Sequence, residues 1–310
     1  MESKESPTYV GIDIAKDSLQ TTLPGASSRL SNDKRGLYNL FTCLRSIDNP
    51  HVICEATGGY ERLLVEACHE RGIAVSLLNP ARVRAFVESE GIKAKTDPID
   101  AKMLVRFAQE KKPRANRPLP PERKEMAELL DRRAQLSEFL AREKNRLEKS
   151  SDAARESIKR MIEVLEKEIA QVDQAIQELI DRHPELAEED QMFRSVTGIG
   201  KVTSWTILAY LGEISHLKRN EVVALAGVAP FNKDTGTRTG KRVIQGGRAK
   251  VRRCLFMAAQ TAAIHNPVIT AYVQRLRERG KPYKCALVAA MRKLLIHLHS
   301  LIKKSKEAVA

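Results

Sequence analysis

Residues 8–15 read T-Y-V-G-I-D-I-A, and they decide how the chain begins. The run is β-branched and apolar, with Asp13 its one charge. That pattern predicts a buried strand. A carboxylate inside such a strand is costly unless it binds a partner or a metal. Outward from it, residues 18–24 read as a second strand, ended by Pro24-Gly25. HVICEA (51–56) is another short apolar run, ending near Glu55 and broken by Thr57-Gly58-Gly59. YERLLVEACHERG (60–72) then has helical spacing, with Leu63, Leu64, Ala67 and Cys68 on one face and Gly72 as its stop. IAVSLLN (73–79) is a further strand closed by Pro80. A helix, a polar stretch around Lys93–Thr96 and a helix from about Pro98 follow. Strands alternating with helices predict an α/β domain, bounded at 1–112.

Lys111-Lys112-Pro113 opens a Pro- and Arg-rich linker to about Pro121. Residues 122–182 then hold almost no glycine or proline and are dense in Glu, Lys, Arg, Leu and Ala. Ile158, Ile162, Leu165, Ile169, Val172, Ile176 and Leu179 recur at alternating steps of 4 and 3. That is a coiled-coil seam. An earlier stripe, Leu129, Leu136, Leu140 and Leu147, is less regular, and Ser150-Ser151-Asp152 suggests a turn between two arms. Linker and coiled coil together are taken as residues 113–189.

Residues 190–310 read as a basic, all-α domain. SVTGIGKVTSWTILAYLG (195–212) has the form of a helix-hairpin-helix. Its Gly198-Ile199-Gly200 turn would leave backbone N–H groups at a helix N-terminus, a cradle for phosphate that ignores sequence. A plain packing corner would look the same. The loop FNKDTGTRTGKRVIQGG (231–247) is rich in Gly, Thr, Lys and Arg, and amphipathic helices follow.

Charge sharpens this division. The 310-residue chain carries a net +14, yet residues 233–306 hold 18 Lys and Arg against only Asp234 and Glu278. That segment is +16, and the remainder is close to neutral at −2. Such a block is the footprint of a polyanion partner, most often nucleic acid. Aromatics are 5% of the chain, which disfavours extensive base stacking. Five scattered cysteines form no C-x-x-C pair, which argues against structural zinc or a disulfide framework and suits a reducing cytoplasm. Neither a signal-peptide core nor a membrane-spanning run is expected, so no membrane partner is either.

Four carboxylates of the first domain are candidates for chemistry: Asp13, Glu55, and the i, i+3 pair Asp97 and Asp100. Converging carboxylates suit Mg²⁺, which takes oxygen ligands and bridges to phosphate. Isolated surface and capping acids are the plain alternative, because sequence spacing alone does not show convergence.

Y-V-G-I-D-I-A-K (9–16), E-A-T-G-G-Y (55–60) and K-T-D-P-I-D-A (95–101) resemble the signatures of the RuvC-like DEDD transposases of bacterial insertion sequences, the insertion-sequence-110 family. That family includes the Piv DNA invertases and the bridge-RNA-guided recombinases. G-I-G-K-V-T (198–203), L-A-G-V-A-P (225–230) and G-K-R-x-I-x-G-G-R-x-x-V-R (240–252) resemble its C-terminal transposase domain. The resemblance implies a ribonuclease-H-like first domain whose Asp13, Glu55, Asp97 and Asp100 hold Mg²⁺ at the scissile phosphate. It also implies a covalent hydroxyl–phosphate intermediate. The family's nucleophile is a serine in a D-S-G turn. Asp234-Thr235-Gly236 stands at the matching place, so Thr235 is the candidate, with a β-methyl that crowds its approach. Gly198, Gly200, Lys201, Arg238, Lys241, Arg242, Arg248, Arg252 and Arg253 are the candidate nucleic-acid contacts. Target and donor DNA, a structured guide RNA, a dimer or tetramer, and a bacterial, nucleoid-associated protein complete the expectation. Two rivals remain: a Mg²⁺-dependent RuvC-like nuclease that uses water, and a catalytically attenuated nucleic-acid-binding protein.

Overall fold

The computed structural model describes residues 6–91, 97–231, 240 and 242–309; the side chains of 97–99 and of the last two of these residues lie outside the description. The chain divides into two compact units, Met1–Pro118 and Leu119–Ala310.

The first unit is built on a five-stranded mixed sheet in the order β3-β2-β1-β4-β5. Its strands are β1 (Thr8–Ile14), β2 (Ser18–Leu23), β3 (Ala26–Ser31), β4 (Pro50–Glu55) and β5 (Ala74–Leu78). β1, β2 and β3 form an antiparallel meander, whereas β4 lies parallel to β1 and β5 parallel to β4. Alternation along β1 sorts its two faces. Val10, Ile12 and Ile14 enter a core with Leu37, Leu40 and Phe41 of α1 (Lys34–Leu44) and Leu64 and Cys68 of α2 (Arg62–Glu70). The opposite face carries α3 (Pro80–Ser89) and α4 (Asp97–Lys111), where Ile53 and Leu78 pack with Phe86, Leu104 and Phe107. The helices start where local chemistry permits. Asp33 accepts from the Gly36 N–H at 2.8 Å, and Asn79 caps α3 ahead of Pro80.

Two elements here were not expected from the sequence. β3 reads A-S-S-R-L-S and lies mostly exposed at the sheet edge, so it carries no apolar run. α1 was likewise unread. At the other edge, the Pro- and Arg-rich linker is seated against β5. Asn116 donates its N–H to the Val75 carbonyl at 2.8 Å and accepts from the Leu77 N–H through its side chain at 2.6 Å. Ser76 donates to the Arg114 carbonyl at 2.9 Å and also bonds buried His51, also at 2.9 Å. Burial holds His51 below its ordinary pKa.

The second unit is helical. α5 (Pro121–Lys149) and α6 (Asp152–Asp181) form an antiparallel hairpin. Its ion pairs run Arg182–Glu125 at 3.8 Å, Arg133–Asp173 at 2.5 Å and Lys144–Glu166 at 2.7 Å toward the turn at Ser150-Ser151. The base of the hairpin joins a core with α7 (Pro184–Arg194), α8 (Lys201–Tyr210), a 3-10 turn (Ile214–His216), α9 (Arg219–Leu225), α10 (Ala249–His265), α11 (Pro267–Glu278) and α12 (Tyr283–Val309). Met126, Ile176, Phe193, Trp205, Leu255 and Leu294 are among its residues. α12 corrects one expectation. Tyr283–Glu307 is long and apolar enough to cross a membrane by length and composition. Its apolar residues Leu287, Met291, Leu295 and Leu298 lie in the core of this unit, as in a central helix of a bundle.

Candidate functional site

Strand register brings two of the four predicted acids together. Ile12 of β1 pairs with Cys54 of β4 in parallel, so Asp13 and Glu55 follow side by side. Asp13 shares its face with Gly11, two residues earlier, and Glu55 shares its face with Ile53. Both point to the α3–α4 side. Gly11 explains why α4 can come so close. A Cβ there would overlap the Ala101 carbonyl oxygen and stand 3.0 Å from Val105 Cγ2. The neighbouring Asp100 is thereby carried on the helix turn that crosses β1. Asp13, Glu55 and Asp100 are each half-buried. Asp97 begins α4, but its side chain lies outside the described residues.

Two further residues shape this edge, and neither was singled out in the sequence. Asn32 donates through Nδ2 to the Ala15 carbonyl at 3.0 Å and to the Tyr60 carbonyl at 3.1 Å. It therefore ties the segment after Asp13 to the segment after Glu55. Glu61 folds back on the Thr57-Gly58-Gly59 turn. Its Oε2 accepts from the Thr57 N–H at 3.1 Å, the Thr57 hydroxyl at 2.8 Å and the Gly59 N–H at 2.8 Å. Burial would raise this carboxyl. The N–H groups of Glu61, Gly59 and Thr57 and the Thr57 hydroxyl outweigh burial and hold it below its usual value.

In the second unit the candidate loop leaves and re-enters through a narrow neck. β6 (Pro230–Phe231) pairs antiparallel with β7 (Val243–Ile244). Below them two left-handed glycines meet back to back, Gly227 (φ +69°) and Gly247 (φ +66°). A Cβ on Gly247 would overlap the Gly227 backbone, and one on Gly227 would overlap the Gly246 carbonyl and the Arg252 guanidinium. The Arg248 N–H bonds the Leu225 carbonyl at 2.7 Å, closing the neck. Thr235, Arg238 and Lys241 lie outside the described residues.

The remaining predicted contacts fall into two groups. Arg248 pairs with Glu213 at 2.6 Å and donates to the Tyr210 carbonyl, and Arg252 donates to the Gly246 carbonyl. These guanidinium groups hold the neck. Arg242 and Arg253 are exposed. In the α7–α8 turn, Gly198 (φ +104°) packs where any Cβ would strike Ala262 of α10, so close helix approach already requires this glycine. Gly200 begins α8 with open space where its side chain would be, and no side chain caps the helix. Lys201 pairs with Asp173 at 3.5 Å and lies over the Trp205 ring.

Residues 10–152 match the family model of the DEDD transposases of IS110, described as a transposase, and residues 190–274 match that of the transposase IS116/IS110/IS902 family. The chain belongs to the IS110 family of transposases. It is 29% identical to the pilin gene-inverting protein of Moraxella lacunata and 28% identical to that of Moraxella bovis, over 97% of this chain and of each relative. It is also 27% identical, over 41% of its length and 31% of the relative's, to an uncharacterized 43.6 kDa protein of the IS110 element from Streptomyces coelicolor. The protein is thus a DNA recombinase or transposase, with DNA as its partner and a mixed α/β first unit that fits a ribonuclease-H-like DEDD domain. DEDD transposases use a divalent metal. The donors here suit such an ion, since carboxylates are hard oxygen ligands and register sets two of them side by side. Among the described side chains no three His, Cys, Asp or Glu gather closely enough to hold a metal, and Asp97 is not among those side chains.

Proposed function

We propose that this transposase cuts and rejoins DNA through a covalent threonine–phosphate intermediate, with Mg²⁺ held by Asp13, Glu55, Asp97 and Asp100. The observation that carries the reading is the Asp13–Glu55 register beneath the turn of α4 that bears Asp100. When bound, Mg²⁺ would draw charge from the scissile phosphate. Asn32 and Glu61 hold the segments behind the two strand-end acids. The Thr235 hydroxyl attacks phosphorus: an Oγ–P bond forms, the phosphate's bond to a deoxyribose oxygen breaks, and that oxygen leaves as a hydroxyl. The proton given up by Thr235 balances the one taken up by the leaving oxygen. Reversal at a different DNA end rejoins the strand and conserves the bond, so no nucleotide triphosphate is consumed.

Gly198, Gly200, Lys201, Arg238, Lys241, Arg242 and Arg253 contact phosphates in this reading. Arg248 and Arg252 shape the neck of the loop. The α7–α8 corner acts as a helix-hairpin-helix, its phosphate cradle at Gly200. The α5–α6 hairpin acts as a coiled coil that joins copies into a homo-oligomer, dimer or tetramer. Phe139, Met161 and Val164, exposed on the hairpin, support this. In functional terms the chain then reads as a DEDD domain (1–112), a linker with coiled coil (113–189) and a basic transposase domain (190–310). A structured guide RNA selects the DNA, and the protein works in the bacterial cytoplasm at the nucleoid. These last points rest on the resemblance and on the basic C-terminal charge.

Two variants test the chemistry. Asp13→Asn should reduce strand cleavage to background while DNA binding persists; unchanged cleavage refutes the metal-site assignment. Thr235→Ala should abolish both the protein–DNA adduct and strand exchange. Hydrolysis that survives in Thr235→Ala would instead favour a water-using nuclease.

A further inference from the structure

The corner between α11 and α12 is a strongly charged surface outside the loop region. Arg275, Arg277, Arg279, Lys281 and Lys284 are all exposed, and Glu278 is the only acid among them. Among the described residues, none of these five cations has a carboxylate within ion-pair distance. On the hairpin, acids are interleaved with the cations and several cations are paired. There Arg133, Arg142, Lys144, Arg146 and Lys159 each meet an acid. The corner lies beyond residue 274, where the second family match ends.

Its backbone is fixed. Gly280 (φ +76°) closes α11, its N–H bonding the Arg277 carbonyl at 2.8 Å, while the Lys281 N–H bonds the Leu276 carbonyl at 3.1 Å. This paired arrangement is a Schellman stop, followed by Pro282. The cations therefore project from a rigid turn. The first turn of α12 holds no acid to offset the positive end of its helix dipole, so that field adds to theirs. Tyr283 sits in the same corner, 44% exposed, with the Arg277 guanidinium 5.7 Å from its ring centroid. Arg275 and Lys293 flank Tyr272 at 5.4 and 4.7 Å.

We propose that this corner grips a single-stranded stretch of nucleic acid, with phosphates on the five cations and one base stacked on Tyr283. Unpaired cations supply charge complementarity to a phosphodiester chain. The exposed ring selects single strands, because a base must leave its duplex stack to lie on it. A base there would extend the Arg277–Tyr283 pair. The inference rests on the nucleic-acid reading above and adds where, and in what form, the strand is held.

The test measures binding of the full chain to single-stranded DNA, single-stranded RNA and duplex DNA of equal length across a salt series. Neutralising three phosphate contacts should flatten the single-strand log–log salt dependence by about 2. We therefore expect Arg277→Gln/Arg279→Gln/Lys281→Gln to show that change and to lose about ten-fold in single-strand affinity. Tyr283→Leu should weaken single-strand binding about ten-fold and leave duplex binding unaltered. Preference for RNA over DNA would identify the strand as a guide, and the reverse as displaced target; either supports the site. Equal losses on single strands and duplex in Tyr283→Leu, or an unchanged slope in the triple variant, overturns it. If the unaltered protein binds no nucleic acid, the functional reading itself fails; if it binds and the corner variants match it, only the corner fails.

Discussion

At the scale of single residues, the proposed acid site depends on side chains outside the four acids. Gly11 has nothing to offer but the absence of a Cβ, and that absence lets α4 lie on β1. Gly11→Ala should push the helix away and cost about 1–3 kcal/mol, the usual range for overpacking. Thermal unfolding would register that loss, and strand cleavage should fall with it as Asp100 shifts. Glu61 gives a pH prediction. Its carboxyl is held below the ordinary value in the folded chain, so its contribution is fully present above the unfolded carboxyl's range near 4.5. It is lost as pH falls through the lower folded value. Melting temperature measured from pH 7 to pH 3 should drop less in Glu61→Gln than in the unaltered protein. Equal drops would show that the turn does not feel this carboxylate.

Asp13 and Glu55 were legible in the sequence because a charge in or ending a buried strand stands out. Their neighbours were not. Asn32 acts through two backbone carbonyls that sequence spacing cannot bring together, and Glu61 looks like any acid at the start of a helix. Thr235, which lies outside the described residues, is singled out only by the resemblance, since one threonine in a Gly- and Lys-rich loop has no signature of its own.

Among the elements, the hairpin shows what periodicity can and cannot deliver. The α6 stripe was regular because all seven seam positions from Ile158 to Leu179 are aliphatic. α5 looked irregular because its inward stripe includes Arg133, whose guanidinium meets Asp173 across the hairpin at 2.5 and 3.3 Å. Asp173 also receives Lys201 from the start of α8. Charges at Arg133 and at Glu143, between Leu140 and Leu147, thus masked a continuous stripe. Arg133→Met would keep the bulk but strand most of that carboxylate's bonding. It should destabilise the unit by about 1.5–3 kcal/mol, read from denaturant unfolding, consistent with loss of a charge-assisted hydrogen bond. A change near zero would mean Lys201 alone satisfies Asp173. β3 went unread for the opposite reason: an exposed edge strand of serines offers no apolar alternation to detect.

For the whole molecule, the division into Met1–Pro118 and Leu119–Ala310 implies two separable transitions. Arg123 tests this. It pairs with Glu189 at 2.7 Å, both side chains under a tenth exposed, and donates to the Leu208 carbonyl at 2.6 Å; Lys306 reaches the same Glu189 at 3.3 Å. One cluster therefore fastens the start of α5, α7, α8 and the end of α12. Arg123→Ala breaks a buried pair from one side and should cost the helical unit about 3 kcal/mol. Calorimetry should show the helical unit's transition shifted downward and the α/β unit's unmoved. A common shift of both would mean that the units unfold together. The same division frames the charge: the +16 of residues 233–306 lies within the helical unit, while the acids proposed to hold metal stand in the other.

The antiparallel pairing of α5 and α6 also makes the hairpin a ruler. Partner numbers fall along one arm about as fast as they rise along the other, from Glu125–Arg182 to Arg133–Asp173 to Lys144–Glu166. Seven residues inserted into each arm at matched positions would leave every facing pair nearly in phase and lengthen the hairpin by about 10 Å. Inserted into α5 alone between Glu125 and Arg133, they would slide the outer part of that arm past its partner and separate the two outer pairs. The reach of the tip is thus adjustable in discrete steps, independently of the core at its base.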